Sequence, residues 1–353
     1  MTEVTIEQLG GWKGVLSRLT AGEDLTGPEA AAALGEVLAG AATPAQIAGF
    51  VIALGMKGET VEEVAGMVEA MLAAAAPIEL PADVDAIDIV GTGGAPSRRV
   101  AALNVSTMAC LVAAGAGVPV CKHGNRRASS TSGSFDLLEA LGVAIELDGP
   151  AVARCVADVG LGFCFARGFH PAMRHAGPVR AELGVPTVFN LLGPLSHPAR
   201  VRRQVIGVAD PSVADLVVGV LVERGAPRAM VVHGHDRMDE LTLTGPSTVH
   251  EVRDGEVRTW ELDPTELGLA TVDAEALRGG TPADNAAIAH RVLNGEHGPV
   301  RDIVTLNAAA GLVVAGAADD LAGGLEQARA AIDEGRASAR LAALVEVSDH
   351  LTG

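Results

Sequence analysis

Residues 1–80 carry apolar side chains at the 3.6-residue period of an amphipathic helix. After Thr43 they recur at i, i+3, i+4 and i+7, on one helical face: Ile47, Phe50, Val51 and Leu54. Capping-box pairs mark where three helices begin: Thr26 with Glu29, Thr43 with Gln46, and Thr60 with Glu63. We therefore predict a helical domain over residues 1–80, with an apolar face left over that would suit a dimer contact.

From Ala86 onward, short apolar runs alternate with helical patterns, as in a largely parallel α/β sheet. We predict strands over residues 87–90, 118–121, 162–166, 204–209 and 229–233, and helices over 106–116, 135–141 and 213–223. Two alternating runs flank Asp254-Gly255 within residues 248–260, which predicts a hairpin. The fold class is α/β: a helical domain (1–80), on which helices from about 172 to 195 pack, and an α/β domain (81–353).

The composition excludes several classes of protein. A net charge of −18 disfavours non-specific binding to nucleic acid or an anionic membrane, which requires a cationic surface. The four cysteines lack C-x-x-C spacing and are expected to be reduced, buried thiols. The N-terminus lacks the pattern of a signal peptide, and no apolar stretch approaches the about 20 residues of a membrane span. We therefore predict a cytoplasmic protein.

Candidate chemistry follows the ends of the predicted strands, where ligands bind in open α/β sheets. Three glycines (Gly91, Gly93 and Gly94) follow the first strand and would let backbone N–H groups approach an anion, although a tight turn explains them equally well. Residues 104–107 (Asn-Val-Ser-Thr) precede a helix, where hydroxyl and N–H groups favour phosphate. Simple capping of that helix is an equally good explanation.

Residues 122–134 carry the strongest signal. They combine cations, an amide, a glycine and five hydroxyls directly after a predicted buried strand, and they contain no acidic residue. Such a loop can surround a polyanion with charge-assisted hydrogen bonds. We therefore predict an anion-binding loop.

An acidic pair, Asp239 and Glu240, follows the last predicted parallel strand. Adjacent carboxylates suit Mg²⁺, which takes oxygen ligands and bridges to phosphates, but a solvated acidic turn is the simpler explanation of the pair alone. His233 and His235 lack the further ligands of a zinc site. Neither a Gly-x-Ser-x-Gly elbow nor a Walker motif occurs, so a hydrolytic triad and NTP hydrolysis are not supported.

Together these stretches resemble the anthranilate phosphoribosyltransferase family. The resemblance rests on GTGG, NVST, KHGNRRASS-x-SGS-x-DLLEALG, FHPAMRHAGPVRAELGVPTVFNLLGPL and MDELT, in this order, and extends to about Asn307. It implies a nucleoside phosphorylase/phosphoribosyltransferase-like fold and a homodimer. The implied reaction transfers the phosphoribosyl group of PRPP to anthranilate in tryptophan biosynthesis.

The resemblance also implies roles for individual residues. For PRPP and anthranilate it implies Gly91, Gly93 and Gly94; for PRPP phosphate, Asn104, Val105, Ser106 and Thr107. For pyrophosphate and ribose it implies the run from Lys122 to Ser130 (including His123, Gly124, Asn125, Arg126 and Ser129) and Ser134. For anthranilate it implies Asn125 and Arg180; for catalysis, Lys122 and Arg180; for Mg²⁺, Ser106, Asp239 and Glu240.

One segment departs from the family pattern. Ala95 stands where the family usually has Asp, and nine residues, Ala95 to Leu103, separate GTGG from Asn104. This departure leaves open a paralogue that uses another aromatic acceptor. A pyrimidine-nucleoside phosphorylase would carry Lys-x-Ser-Gly-Arg at the second loop, which residues 122–126 do not match. A non-catalytic nucleic-acid-binding protein is disfavoured by the charge.

Overall fold

The N-terminal helices begin where the capping boxes predict. The computed structural model describes residues 4–93, 103–126 and 131–352. At Thr43 and Thr60 the hydroxyl accepts the N–H three residues later, and the side chain of that residue accepts the threonine N–H. The helices of this region are α1 (Gly11–Thr20), α2 (Gly27–Leu38), α3 (Pro44–Lys57) and α4 (Val61–Ala73), preceded by a 3₁₀ turn at Ile6–Leu9.

A seven-stranded sheet forms the centre of the remaining chain. Its strands are β1 (Ile87–Gly91), β2 (Val120–Gly124), β3 (Leu161–Phe165), β4 (Arg203–Gly207), β5 (Arg228–Gly234), β6 (Ser247–Arg253) and β7 (Glu256–Leu262). The order across the sheet is β3-β2-β1-β4-β5-β6-β7. The first five strands in that order pair in parallel, and β6 and β7 add antiparallel. The predicted mainly parallel α/β fold is confirmed.

Helices and 3₁₀ turns connect and cover the strands. The helices are α5 (Val105–Gly115), α6 (Ser134–Ala140), α7 (Gly149–Val159), α8 (Ala166–Phe169), α9 (Gly177–Leu183), α10 (Phe189–Leu195), α11 (Ala214–Glu223), α12 (Pro282–Leu293), α13 (Pro299–Ala315), α14 (Leu321–Asp333) and α15 (Arg336–His350). Short 3₁₀ turns lie at Pro171–Arg174, Pro211–Val213, Pro264–Leu267 and Ala274–Leu277. No helix of the described part of the chain is both long and apolar enough to cross a membrane.

The two faces of the sheet pack against different layers, because side chains alternate along a strand. Ile87 and Ile89 of β1 belong to the core formed with α5 and α13 to α15. Val90 belongs instead to a second core, which contains the N-terminal helices and residues of α9 and α10 such as Phe189. The segment 176–195 thus shares one buried cluster with residues 6–72.

The hairpin and β2 show where local signals were sufficient and where they were not. Asp254 and Gly255 adopt φ of 52° and 86°, the left-handed pair of a two-residue hairpin turn, as the sequence predicts. The predicted strand 118–121 is displaced: β2 runs from Val120 to Gly124. The reason is pairing, because His123 and Gly124 continue the ladder opposite Cys164 and Phe165 of β3.

Helices α2 and α4 pack closely through glycines, which generates a test of the helical domain. A Cβ atom at Gly66 would lie 2.0 Å from the carbonyl oxygen of Gly27. We expect Gly66→Ala to lower the free energy of unfolding by about 1–3 kcal/mol, because the backbones must separate. The control Gly35→Ala, on α2 with no atom within 4 Å of the added Cβ, should raise it by about 0.5–1 kcal/mol. Equal stability of the two variants in urea denaturation would contradict this packing.

Candidate active site

The acidic pair lies where the strand order of the sheet reverses, between β1 and β4. Gly91 and Gly207 are paired in register at the ends of these strands. A Cβ atom at Gly91 would lie 2.1 Å from Oδ2 of Asp239, and one at Gly207 would lie 1.7 Å from its carbonyl oxygen. Only glycine at both positions leaves room for Asp239 at this switch point, which is the general ligand position of open α/β sheets.

The glycine turn at the end of β1 (residues 91–93) contacts the Asp239 carboxylate directly. The N–H of Gly93 donates to Oδ2 of Asp239 at 2.9 Å, and Gly93 adopts the left-handed φ of 72°. In the structure, the anion that meets the glycine-rich backbone is therefore the Asp239 carboxylate. Gly94, also predicted to line the pocket, lies outside the described residues.

Asp239 and Glu240 are buried, with 2% and 3% of their surface exposed. Their position is fixed by the next residue, Leu241. The side chain of Asn307 accepts the N–H of Leu241 at 3.0 Å and donates to its carbonyl oxygen at 2.9 Å. A solvated acidic turn, the simpler explanation of the sequence, is therefore wrong. Two adjacent buried carboxylates offer the oxygen donors that Mg²⁺ prefers.

The start of α5 faces the loop after β2. Asn104 does not cap α5 with its side chain. Its Oδ1 instead accepts from Ser132 Oγ at 3.0 Å and from Asn285 Nδ2 at 2.8 Å. The next residues differ in exposure: Val105 and Thr107 are buried, and Ser106 is partly exposed in the first helical turn. Asn104 therefore fixes the position of the helix start.

Lys122 lies within β2 and not in the loop that the sequence predicts. It is 2% exposed, and its Nζ donates to the carbonyl oxygen of Ile89 in β1. His123 and Gly124 likewise belong to β2, and His123 Nδ1 lies 3.1 Å from the carbonyl oxygen of Gly193. The loop proper begins at Asn125, because pairing with β3 extends the strand by three residues beyond Cys121.

The loop after β2 folds back on the start of α6. Asn125 accepts the Ser134 hydroxyl at 3.0 Å through its carbonyl oxygen. Arg126 pairs with Glu139 at 2.8 Å and lies 3.6 Å from Asp136. The absence of acids from residues 122–134 was therefore an incomplete guide, since α6 supplies carboxylates to Arg126. Ser129 and Ser130 lie outside the described residues.

A cavity of about 720 Å³ opens beside the glycine turn and contains Arg180. The Arg180 guanidinium lies 5.4 Å from the centre of the Phe189 ring, and burial lowers its pKa. Arg167 and Arg174 also line this cavity, and none of its described lining residues is an aspartate or glutamate. Sequence reasoning missed these two arginines, although both follow the end of β3, where the strand-end rule would have found them.

Two histidines also line this cavity. The rings of His123 and His170 lie 5.2 Å apart, and both residues line the cavity. Burial lowers the pKa of His170 to about 4 and lowers that of His123 well below its usual value. Both imidazoles are therefore neutral near pH 7, and the positive charge of the cavity comes from its arginines.

Comparisons with known proteins identify the family. The helical-bundle domain of the glycosyl transferase family matches residues 13–75, and the a/b domain of that family matches residues 83–338. Anthranilate phosphoribosyltransferase of Thermomicrobium roseum is 53% identical over 340 residues, which covers 96% of this chain and 97% of the relative. This chain belongs to the anthranilate phosphoribosyltransferase family.

Other members of the family agree with this assignment. The Rhodococcus jostii protein of the same name is 52% identical and covers 96% of this chain and 94% of the relative. The crystal structure of the Thermus thermophilus enzyme superposes with a TM-score of 0.89 at 45% identity, covering 95% of this chain and 99% of that one. The Saccharomyces cerevisiae enzyme in complex with PRPP and Mg has a TM-score of 0.86 at 28% identity, covering 96% and 98%.

The lowered pKa values of His123 and His170 generate a prediction for stability in acid. The unfolded chain binds protons at these histidines near pH 6.5, whereas the folded state binds them only at lower pH. The free energy of unfolding should therefore fall as the pH decreases from about 6.5 towards 4, by up to about 1.4 kcal/mol per pH unit for each histidine. In urea denaturation, His170→Asn should show a shallower decline over this range. Above about pH 7.5, the free energies of unfolding of the variant and the parent should differ by a constant amount. If the two free energies fall with the same slope below about pH 6, the argument from burial is contradicted.

Proposed function

We propose that this chain transfers the phosphoribosyl group of PRPP to the amine of anthranilate and releases N-(5-phosphoribosyl)anthranilate and pyrophosphate. Family membership supports the reaction class. The observation that carries the proposal is the double contact of the glycine turn. Gly91 packs against Asp239 on one side and lines the arginine cavity on the other. A phosphate-and-metal site and an acceptor site thus meet at one turn, as a two-substrate displacement requires.

For the PRPP half we propose the residues that surround the switch point. Asn104 to Thr107, the run from Lys122 to Ser130, and Ser134 would contact phosphate, pyrophosphate and ribose. Asp239, Glu240 and Ser106 offer carboxylate and hydroxyl oxygens that fit Mg²⁺. Bound Mg²⁺ would neutralise the charge that develops on the leaving pyrophosphate.

Lys122 would act electrostatically from within the sheet. Its ammonium lies against Ile89, two residues before Gly91, and is almost fully buried. A charge in such a low-dielectric position acts more strongly than one in water. We propose that its field stabilises the anionic leaving group, and that direct contact with PRPP requires Nζ to leave the Ile89 carbonyl.

For the acceptor half we propose Arg180 as the partner of the anthranilate carboxylate and Asn125 as a second contact. A planar guanidinium matches a carboxylate with two parallel hydrogen bonds. The acid-free lining supports an anionic acceptor, and the flat face of Phe189 beside Arg180 suits an aromatic ring. The aryl amine is uncharged near pH 7, so neutral His123 and His170 can surround it without supplying a strong base.

Assembly and location are further proposals. We propose a cytoplasmic homodimer that contributes to tryptophan biosynthesis, as the family resemblance implies. The most exposed large apolar side chain among the described residues is Met56 of α3, at 84%. Its position on the helical domain makes α3 a candidate contact in the dimer.

The reaction is testable by the fluorescence of the acceptor. We expect the purified chain to consume anthranilate fluorescence only when both PRPP and Mg²⁺ are present, with pyrophosphate released in equal amount. EDTA should abolish turnover, and excess Mg²⁺ should restore it. A folded protein that leaves anthranilate unchanged at saturating PRPP and Mg²⁺ would refute the proposal; turnover of a different aromatic amine would then identify a paralogue.

Arg180 offers a test of the acceptor site alone. Arg180→Gln should raise the KM for anthranilate by about 30-fold or more, because the carboxylate loses a partly buried cation. The KM for PRPP should change less than about threefold, and Arg180→Lys should recover only part of the loss. The control Arg253→Gln removes an exposed arginine of the hairpin and should change neither constant. Equal KM values for Arg180→Gln and the parent would place the carboxylate elsewhere.

A further inference from the structure

Three side chains of types that bind metal ions converge inside the protein, and none of them belongs to the acidic pair. Cys121 is on β2, Cys164 is on β3, and His197 follows α10; all three are buried. The two Sγ atoms are 3.6 Å apart, and Cys164 Sγ is 3.6 Å from His197 Nε2. All three donor atoms lie within 4.8 Å of one another.

The strand register opposes a disulfide between these thiols. Cys121 pairs with Gly162, so Cys164 lies two residues further along the neighbouring strand. With strands about 4.8 Å apart and a rise of about 3.3 Å per residue, such diagonal Cα atoms are separated by about 8 Å. Disulfides span Cα distances of up to about 6.8 Å. The thiols can share a bridging atom more readily than they can bond to each other.

The Cys121–Cys164 and Cys164–His197 donor distances match the edges of a tetrahedral site. Bonds of about 2.3 Å to sulfur and about 2.05 Å to nitrogen give edges of about 3.8 Å between two sulfurs and about 3.6 Å between sulfur and nitrogen. We propose that Cys121, Cys164 and His197 bind a thiophilic divalent cation of the zinc type. Binding releases the two thiol protons to solvent, so the cation and two thiolates together carry no net charge.

His197 must change its hydrogen bonds to serve as a ligand. Its Nδ1 accepts from Ala199 N–H at 3.1 Å, and Nε2 donates to the carbonyl oxygen of Cys121 at 2.8 Å. The cation takes the place of the Nε2 proton, and Nδ1 becomes protonated. Two neutral hydrogen bonds are lost, which is a small net change beside the bonds formed between a zinc-type ion and two thiolates.

Three side chains make up the cluster, and a cavity borders one of them. Asp88 of β1, which follows the residue paired with Val120, is fully buried but is not among the described side chains whose donor atoms lie within 4.8 Å of one another. Three protein ligands leave the fourth position of a tetrahedral site to water. His197 also lines a cavity of about 620 Å³ between the N-terminal helices and the start of β4, so one of the three ligands lies at a cavity wall.

Cobalt is a suitable probe, because thiolate ligation gives Co²⁺ an intense charge-transfer absorption that oxygen ligands do not. The reduced, chelator-treated full-length chain is titrated with Co²⁺ under anaerobic conditions. We expect this absorption to saturate at one Co²⁺ per chain and to disappear when Zn²⁺ is added. Any Co²⁺ at Asp239 and Glu240 contributes no thiolate band, so the measurement does not depend on the proposed activity.

Matched variants locate the ligands. Cys121→Ala and Cys164→Ala should each weaken the affinity for Co²⁺, measured from the thiolate band, by more than about tenfold. The controls Cys110→Ala and Cys155→Ala remove buried thiols outside the cluster and should leave this affinity unchanged. No thiolate band from the parent chain, or a band that survives the loss of either Cys121 or Cys164, would overturn the proposal.

A second measurement covers variants that fold poorly. Saturating Zn²⁺ should raise the Tm of the parent chain by about 3 °C or more, because the three ligands are held together only in the folded state. His197→Asn keeps both thiols and should lose most of that increase. An unchanged parent Tm, or an equal increase in His197→Asn, would also overturn the site.

Discussion

The close approach of Asp239 to two glycines is the constraint on which the active-site region depends. Gly91 and Gly207 end the two strands that flank the switch point, and neither position has space for a methyl group. The carboxylate can therefore reach the N–H of Gly93 and hold the turn after β1. That turn also lines the cavity that contains Arg180. The hydrogen bond between Gly93 and Asp239 therefore sets the distance between the proposed PRPP and acceptor sites.

Much of the fold followed from local patterns. The capping boxes located the helix starts, and Asp254-Gly255 located the hairpin, because both signals act within a few residues. The position of Lys122 did not follow. Local composition suggested a loop, but the extension of β2 depends on pairing with β3, some 40 residues later in the chain.

The sequence predicted which types of residue form the proposed site, but not the contacts that those residues make. Strand-end reasoning found the glycine turn and the acidic pair, but burial of Asp239 depends on β1 and β4 lying side by side. The pairing of Arg126 with Glu139, and the presence of Arg167 and Arg174 in the cavity that contains Arg180, depend on how helices fold back over the sheet. The pairing with β3 that places Lys122 in a strand, and not in the predicted loop, also sets Cys121 diagonally opposite Cys164.

The hairpin has a consequence for how the sheet ends. β7 is the outer strand on one side, and most of its residues are exposed. Glu256, Arg258 and Glu261 alternate in sign along it, and the Arg258 guanidinium covers the face of Trp260 at 5.2 Å. An unpaired edge invites strands from other molecules, and charged side chains discourage such addition. The antiparallel addition thus ends a parallel sheet, rich in valine and isoleucine, with a border that resists edge-to-edge association.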